Sequence, residues 1–176
     1  MLSHLTTTLR AATAAALMSA FAFAGTATAS GDPANTGNPA DINTLAGSLS
    51  KGYGLNNCTA QAITGSQLAR LTCGQSPDSS GPAQAKYILF SNADELAASF
   101  KASIKDDVLT ACGDIGQSPT IWHQGSSTTS SGSMACGTYQ NGAEIIWTND
   151  GKNILSLIRA SNTDVGSLFQ WWRANG

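Results

Sequence analysis

The sequence predicts an α+β fold: an antiparallel sheet built from two similar β-meander-plus-helix halves, with the helices on one face and two disulfides. Three observations carry this. Short apolar runs alternate with turn signals, as the strands of an antiparallel meander do. Each half closes on a stretch with helical periodicity, Leu96, Phe100 and Ile104 in one and Val165, Leu168, Phe169 and Trp172 in the other. Each half also carries a cysteine followed later by a Cys-Gly pair, Cys58 with Cys73-Gly74 and Cys112 with Cys136-Gly137. Two such units make a sheet with its helices packed against one side.

The elements follow in order. Residues 30–40 (SGDPANTGNPA) hold two prolines, two glycines and no large apolar side chain, and read as a flexible lead-in. Asp41 is placed to cap a short helix with Ile42, Leu45 and Leu49 on one face and Gly52 at its end, although Gly47 weakens it. Between Cys58 and Cys73 the pair Gly65-Ser66 suits a two-residue type II′ turn. A hairpin folded symmetrically about that turn sets Cys58 directly opposite Cys73, close enough to bridge.

A polar loop, Gln75 to Gln84, leads to a buried strand over Ala85–Phe90. Asn92 then caps a helix, with Glu95 three residues on completing a capping box. In the second half, Thr120–His123 reads as a strand and residues 125–133 (GSSTTSSGS) as a loop. Met134–Tyr139 and Ala143–Thr148 flank Asn141-Gly142, a hairpin signal, with Gln140 in the same connection. A strand over Asn153–Arg159 and a helix beginning near Thr163 or Asp164 close the chain.

Targeting is read separately from the fold. Arg10 precedes an apolar run from Ala11 to Ala24, and Ala27-Thr28-Ala29 fits a small-x-small cleavage pattern. Residues 1–29 therefore read as a signal peptide cleaved before Ser30, leaving a single domain over residues 41–176 behind the lead-in. The apolar run is too short and too alanine-rich to span a bilayer comfortably, so no transmembrane anchor is expected after cleavage. The product is expected to be secreted, in the extracellular space or the cell envelope.

Composition excludes several partners. Nine Lys and Arg against eleven Asp and Glu give a net charge of −2, and no basic run occurs. Nucleic acid and anionic membranes both require clustered positive charge. All four cysteines lie beyond the signal peptide. An even number in an exported chain reads as disulfides, with three possible connectivities. A zinc site would bring close C-x-x-C or cysteine–histidine pairs, and neither occurs. The hairpin register favours Cys58–Cys73, and the two-unit organisation then leaves Cys112–Cys136.

The search for chemistry yields little. His123 is the one histidine beyond the signal peptide. A nucleophilic site would pair it with Ser118 and with Asp114 or Asp150, but no G-x-S-x-G elbow supports this. Asp94-Glu95 sits in a first helical turn, where negative charge complements the helix dipole. Asp106-Asp107 reads as a solvated helix end. No phosphate-cradling or cofactor motif occurs. No catalytic, cofactor-binding or metal-binding residue is therefore assigned, and no cofactor is expected. Consecutive helical residues point about 100° apart, so Trp172 is expected to face the core and Trp171 to stay partly exposed. Trp171, Trp122 and His123 form the candidate contact surface.

Several segments taken together carry a resemblance. Gly52-Tyr53-Gly54 ahead of Cys58, Leu71-Thr72-Cys73-Gly74, GPAQAKYILFSNADELAASF, Ser118-Pro119 with Trp122-His123, GSMACGTYQNGAEIIWTND and Leu168-Phe169-Gln170-Trp171-Trp172 resemble a cysteine-containing exported domain of mycobacteria and related actinobacteria. The similarity spans roughly residues 43–173. Members of that family also form the extracytoplasmic segment of some serine/threonine protein kinases. This chain carries neither a kinase domain nor the membrane helix that precedes such segments, so no kinase activity transfers, and the family brings no catalytic residues with it. Related sequences often show Cys-Pro-Gly where this chain has Cys112-Gly113-Asp114. The resemblance implies a sensor-like or binding module outside the membrane.

The expected function is thus a secreted, non-enzymatic binding or sensor-like domain whose partner is an extracytoplasmic ligand or protein. The rivals are a small secreted hydrolase using His123 and a structural envelope protein without a discrete ligand.

Overall fold

The computed structural model describes residues 34–176, and the signal peptide read over residues 1–29 lies outside the described residues, as do residues 30–33. The elements in order are α1 (Pro39–Ala46), β1 (Cys58–Ala60), β2 (Gln67–Cys73), β3 (Gln84–Phe90), α2 (Ala93–Ser103), β4 (Val108–Cys112), β5 (Gly116–Gln117), β6 (Thr120–Trp122), β7 (Gly132–Tyr139), β8 (Gly142–Asn149), β9 (Ile154–Arg159) and α3 (Val165–Asn175), with a 3₁₀ turn at Asp150–Lys152. The strands make one nine-stranded sheet in the order β1-β2-β3-β9-β8-β7-β4-β5, with β6 also on β7. Every pairing is antiparallel. The class is α+β with two disulfides, Cys58–Cys73 and Cys112–Cys136.

The first hairpin has the expected register. Cys58 faces Cys73, Thr59 faces Thr72 and Ala60 faces Leu71. Gly65 takes a positive φ of 56° in the turn, where Gln67 N donates to Thr64 O (3.1 Å). The second hairpin differs from expectation by one residue. Tyr139 pairs with Gly142, so the two-residue loop is Gln140-Asn141, and both residues have positive φ, at 44° and 64°. That is the type I′ pattern. Gly142 is freed to be a strand residue.

α1 begins earlier than expected and ends sooner. Asn38, not Asp41, is its cap, accepting from Asp41 N (2.9 Å), with Pro39 at the start of the helix and Gly47 at its end. The lead-in is also tied down where it is described. Ile63 N donates to Asn35 O (2.9 Å), and Gly37 bridges to Ala69. α2 begins at the expected cap, with Asn92 Oδ1 accepting from Glu95 N (2.9 Å), but among the described residues the Glu95 side chain makes no return bond to Asn92 N, so only half of the capping box forms. Asn92→Ala should therefore lower stability by about 1 kcal/mol in chemical denaturation; an unchanged midpoint would show that the cap adds nothing.

The helices do not share one face, which corrects the sequence reading. Leu45 of α1 and Leu168, Phe169, Trp171 and Trp172 of α3 join one apolar cluster with Tyr87, Ile145, Trp147 and Ile158. Leu96 and Phe100 of α2 join a separate cluster with Ile88, Phe90, Ala135, Ile146 and Leu155. Neighbouring strand residues point to opposite faces, so Ile145 and Ile146, or Tyr87 and Ile88, divide between the two clusters. The central strands are apolar on both sides and need cover on both. The two halves share a strand-to-helix order but send their helices to opposite faces. The second half also interposes strands that the first lacks.

Trp171 is a second correction. Both Trp171 (5 % exposed) and Trp172 (7 %) are buried. Trp172 packs on the sheet side, 5.6 Å from Trp122 and 6.0 Å from Trp147 between ring centroids. Trp171 points elsewhere, as the helix geometry requires, but the loop between β2 and β3 folds over it. Its Nε1 donates to Asp78 Oδ2 (3.2 Å), and Tyr53 packs edge-on at 6.4 Å.

Candidate functional site

Among the described residues α2 is the one helix on its face of the sheet and covers only part of it, and the uncovered part forms a polar cleft. Cross-strand register places the floor. On β3, β9, β8 and β7 the residues Gln84, Arg159, Glu144 and Gly137 stand side by side in one row. In the next row lie Thr72, Lys86 and Leu157. The segment after α2 brings Asp106 and Asp107 to the rim. The cleft encloses ≈ 320 Å³ and is lined also by Tyr139 and Ser103.

Glu144 is the unusual member, a carboxylate in the middle of an apolar strand with its side chain 7 % exposed. Arg159 reaches it from the neighbouring strand, Nη1 to Oε1 at 3.2 Å. The guanidinium is itself held in place. Its Nη2 donates to Tyr139 O (2.8 Å) and Gln140 O (3.0 Å), and it lies 5.5 Å from the centre of the Tyr139 ring. This requires glycine at 142, since a Cβ there would stand 2.6 Å from Arg159 Nε.

The charges do not cancel. Burial first, then the nearby Asp107 carboxylate, push the Glu144 carboxyl up to about 7, against the opposing pull of Arg159 and Lys86. Asp107 is raised as well, by burial and then by Asp106. The cleft thus holds a carboxyl poised to change charge near neutrality beside a fixed guanidinium. It can accept hydrogen bonds from a polar ligand or exchange a proton on binding one.

Sequence reasoning missed this site. Asp106-Asp107 read as a solvated helix end, whereas Asp107 faces Glu144 across the cleft. The available signal was a lone glutamate in an apolar run, Ala143–Thr148, with Arg159 ending another.

Of the expected contact surface, Trp122 and His123 line one cleft together, and Trp171 stands apart from them. Trp122 is 7 % exposed and its Nε1 donates to Thr148 O (2.8 Å). Trp171 is buried under the β2–β3 loop. His123 is exposed, with Nδ1 3.1 Å from Thr129 O. The residues imagined around His123 have other partners. Ser118 Oγ accepts from Cys136 N (2.8 Å) and donates to Cys136 O (3.1 Å). Asp150 Oδ1 accepts from Thr148 Oγ1 (2.6 Å), and Asp114 pairs with Arg173 at 2.9 Å. The four cysteines are all in disulfides. Among the described residues no three His, Cys, Asp or Glu side chains stand together as a metal-holding group.

A more apolar cleft of ≈ 600 Å³ lies between α2 and β6, lined by Leu96, Ala97, Phe100, Ile104 and Ile121 among others. Its buried polar residue Thr148 is satisfied, accepting from Ser133 N (2.8 Å) and donating to Asp150.

Compared with protein-family models, with curated proteins and with solved structures, the chain matches none.

Proposed function

We propose that the domain is a secreted, non-enzymatic binding module whose polar ligand seats in the Glu144 cleft. One observation carries the reading: a buried carboxyl whose one ion-pair partner among the described residues is Arg159, held on the cleft floor beside a second carboxylate. A buried charge is costly unless fully paired, and a ligand that donates to Glu144 would complete its pairing. The apolar cleft beside α2 gives no comparable reason for a ligand, because its buried polar group is already satisfied. Two disulfides fit an oxidising compartment, and among the described residues no helix is long and apolar enough to cross a membrane. The signal-like N-terminus and the resemblance to extracytoplasmic modules support the same setting. The rival hydrolase built on His123 lacks such support, since Ser118 and Asp114 are held by other groups.

The test is a thermal-shift screen of cell-wall fragments, peptides and sugars, run on the wild type and on Glu144→Gln. A ligand at one hundred times its Kd stabilises by about 2.7 kcal/mol. The expected result is a shift in the wild type that Glu144→Gln abolishes. A shift of equal size in both proteins would remove the ligand from this cleft.

The same carboxyl makes stability pH-dependent, and the sign follows from its raised value. Below about pH 4.5 Glu144 is protonated in both folded and unfolded chains and costs nothing; above about 7 its ionisation opposes folding in full. Stability should therefore rise as the pH falls from about 8 to about 5, and Asp107 acts in the same direction. Asp78 and Asp164, both lowered by hydrogen bonds to nearby serines, act oppositely but only at more acid pH. Denaturation midpoints across this range should flatten in Glu144→Gln. An unchanged slope would mean that Glu144 ionises normally.

A further inference from the structure

We infer that a second cleft, between the last turn of α3 and the segment after β6, is a saccharide-binding site. The inference is independent of the Glu144 cleft. The second cleft encloses ≈ 350 Å³ and is lined by Asp114, His123, Gln124, Trp172 and Arg173, with the edge of Trp122 behind.

Its leading observation is an unsatisfied donor. Trp172 is 7 % exposed, and its indole N–H has no hydrogen-bond partner among the described residues. The other indoles with a described bond differ: Trp122 donates to Thr148 O and Trp171 to Asp78. An indole N–H can only donate, and leaving a buried donor unpaired is unfavourable. An acceptor supplied by a ligand would satisfy it. Gly176 packs on the same edge, where a Cβ would collide with the indole Nε1, so an acceptor must enter beside this residue.

The surrounding groups define the ligand. Asp114 Oδ1 and Arg173 Nη1 stand 2.9 Å apart, placing an acceptor beside a donor. Their charges balance, which selects against a strongly charged ligand of either sign. Each keeps capacity beyond the bond between them, the guanidinium having five N–H donors and the carboxylate two oxygens. Gln124 adds an amide that both donates and accepts. His123 also lines the cleft, its Nδ1 3.1 Å from Thr129 O. Neighbouring hydroxyls, each of which donates and accepts, match an adjacent acceptor and donor; a lone carboxylate or ammonium matches only half. Aromatic edges behind a small set of planar polar groups complete a site for a sugar ring.

The experiment follows the four tryptophan indole N–H signals by NMR in the full domain during titration with glucose, galactose, mannose, arabinose and N-acetylglucosamine. At least one sugar should move the Trp172 signal saturably while the Trp171 signal stays fixed. Asp114→Asn and Arg173→Gln, both exposed and outside the core, should each weaken that sugar about tenfold. Sodium acetate and methylammonium chloride should produce no saturable shift. The proposal is overturned if no sugar moves Trp172 up to its solubility limit. It is equally overturned if both substitutions leave the affinity unchanged, or if acetate or methylammonium saturates the site as the sugars do.

Discussion

Loss of both disulfides should reduce stability by about 6.5 kcal/mol, about 3 from Cys58–Cys73 and about 3.5 from Cys112–Cys136. The figures follow from the sequence separations of 15 and 24 residues, in a model that assigns the effect to restriction of the unfolded chain. Against a typical total of about 5–15 kcal/mol, that is enough to leave the reduced protein largely unfolded at moderate temperature. The two bridges should also differ in kind. Cys58–Cys73 holds β1, a three-residue strand at the edge of the sheet. Cys112 and Cys136 are both fully buried and tie β4 to β7. The pair Cys58→Ser with Cys73→Ser should fray the edge and leave the remaining sheet intact. All four cysteines are buried in one apolar cluster, so each pair of serines also places hydroxyls among apolar groups and should cost more than loop closure alone, the Cys112–Cys136 pair the more because it closes the longer loop. Denaturant midpoints for the two double variants decide the matter; losses under about 1 kcal/mol would contradict the chain-restriction account, and losses of about 3 and about 3.5 kcal/mol would mean that burial of the cysteines adds nothing to it.

What could be read from the sequence is what depends on neighbours along the chain. Gly65-Ser66 determines the register of the first hairpin, and through it the opposition of Cys58 and Cys73. Asn92 three residues before Glu95 marks the start of α2, and Asp164 does the same for α3, where its Oδ1 accepts from Ser167 N (2.9 Å). What escaped depends on surfaces meeting across the fold. The stripe of Leu96 and Phe100 says that α2 packs on something apolar, but β3, β8 and β9 are apolar on both faces, so periodicity cannot choose between them. Trp171 was expected outside because a helix offers one face to a sheet; the β2–β3 loop supplies a second wall that no local pattern announces. β4 was missed because Val108 and Leu109 follow a helix with little turn punctuation. The Glu144 cleft has the same origin. Its pairing with Arg159 depends on the register of β8 with β9, and its tension with Asp107 on where the chain leaves α2. Neither appears until the sheet is assembled.

Trp172→Ala should be the most damaging single substitution in the tryptophan-rich core, at about 3–5 kcal/mol. Trp172 connects elements distant in sequence. It meets Trp122 of β6 edge-on at 5.6 Å, Trp147 of β8 at 6.0 Å and Phe169 one turn earlier in a stacked arrangement at 5.7 Å. Through Trp147 the contact continues to Tyr87 on β3, 6.4 Å away and edge-on. Truncation therefore opens a cavity where α3 is held to the sheet, and three aromatic pairs are lost together with the buried area. For a domain of this size the melting temperature should fall by about 10–15 °C. No hydrogen bond is lost, because the indole N–H has no partner among the described residues. Trp172→Phe should for that reason cost distinctly less, keeping most of the apolar contact and removing an unsatisfied donor. The contrast with Trp122 sharpens the test, since Trp122 Nε1 donates to the Thr148 carbonyl. Trp122→Phe leaves that buried carbonyl short of a donor, so it should be penalised more heavily than Trp172→Phe. Urea denaturation of the three variants supplies the comparison. A Trp172→Phe variant as unstable as Trp172→Ala would mean that the indole N–H finds a partner in solution, and would contradict the packing account.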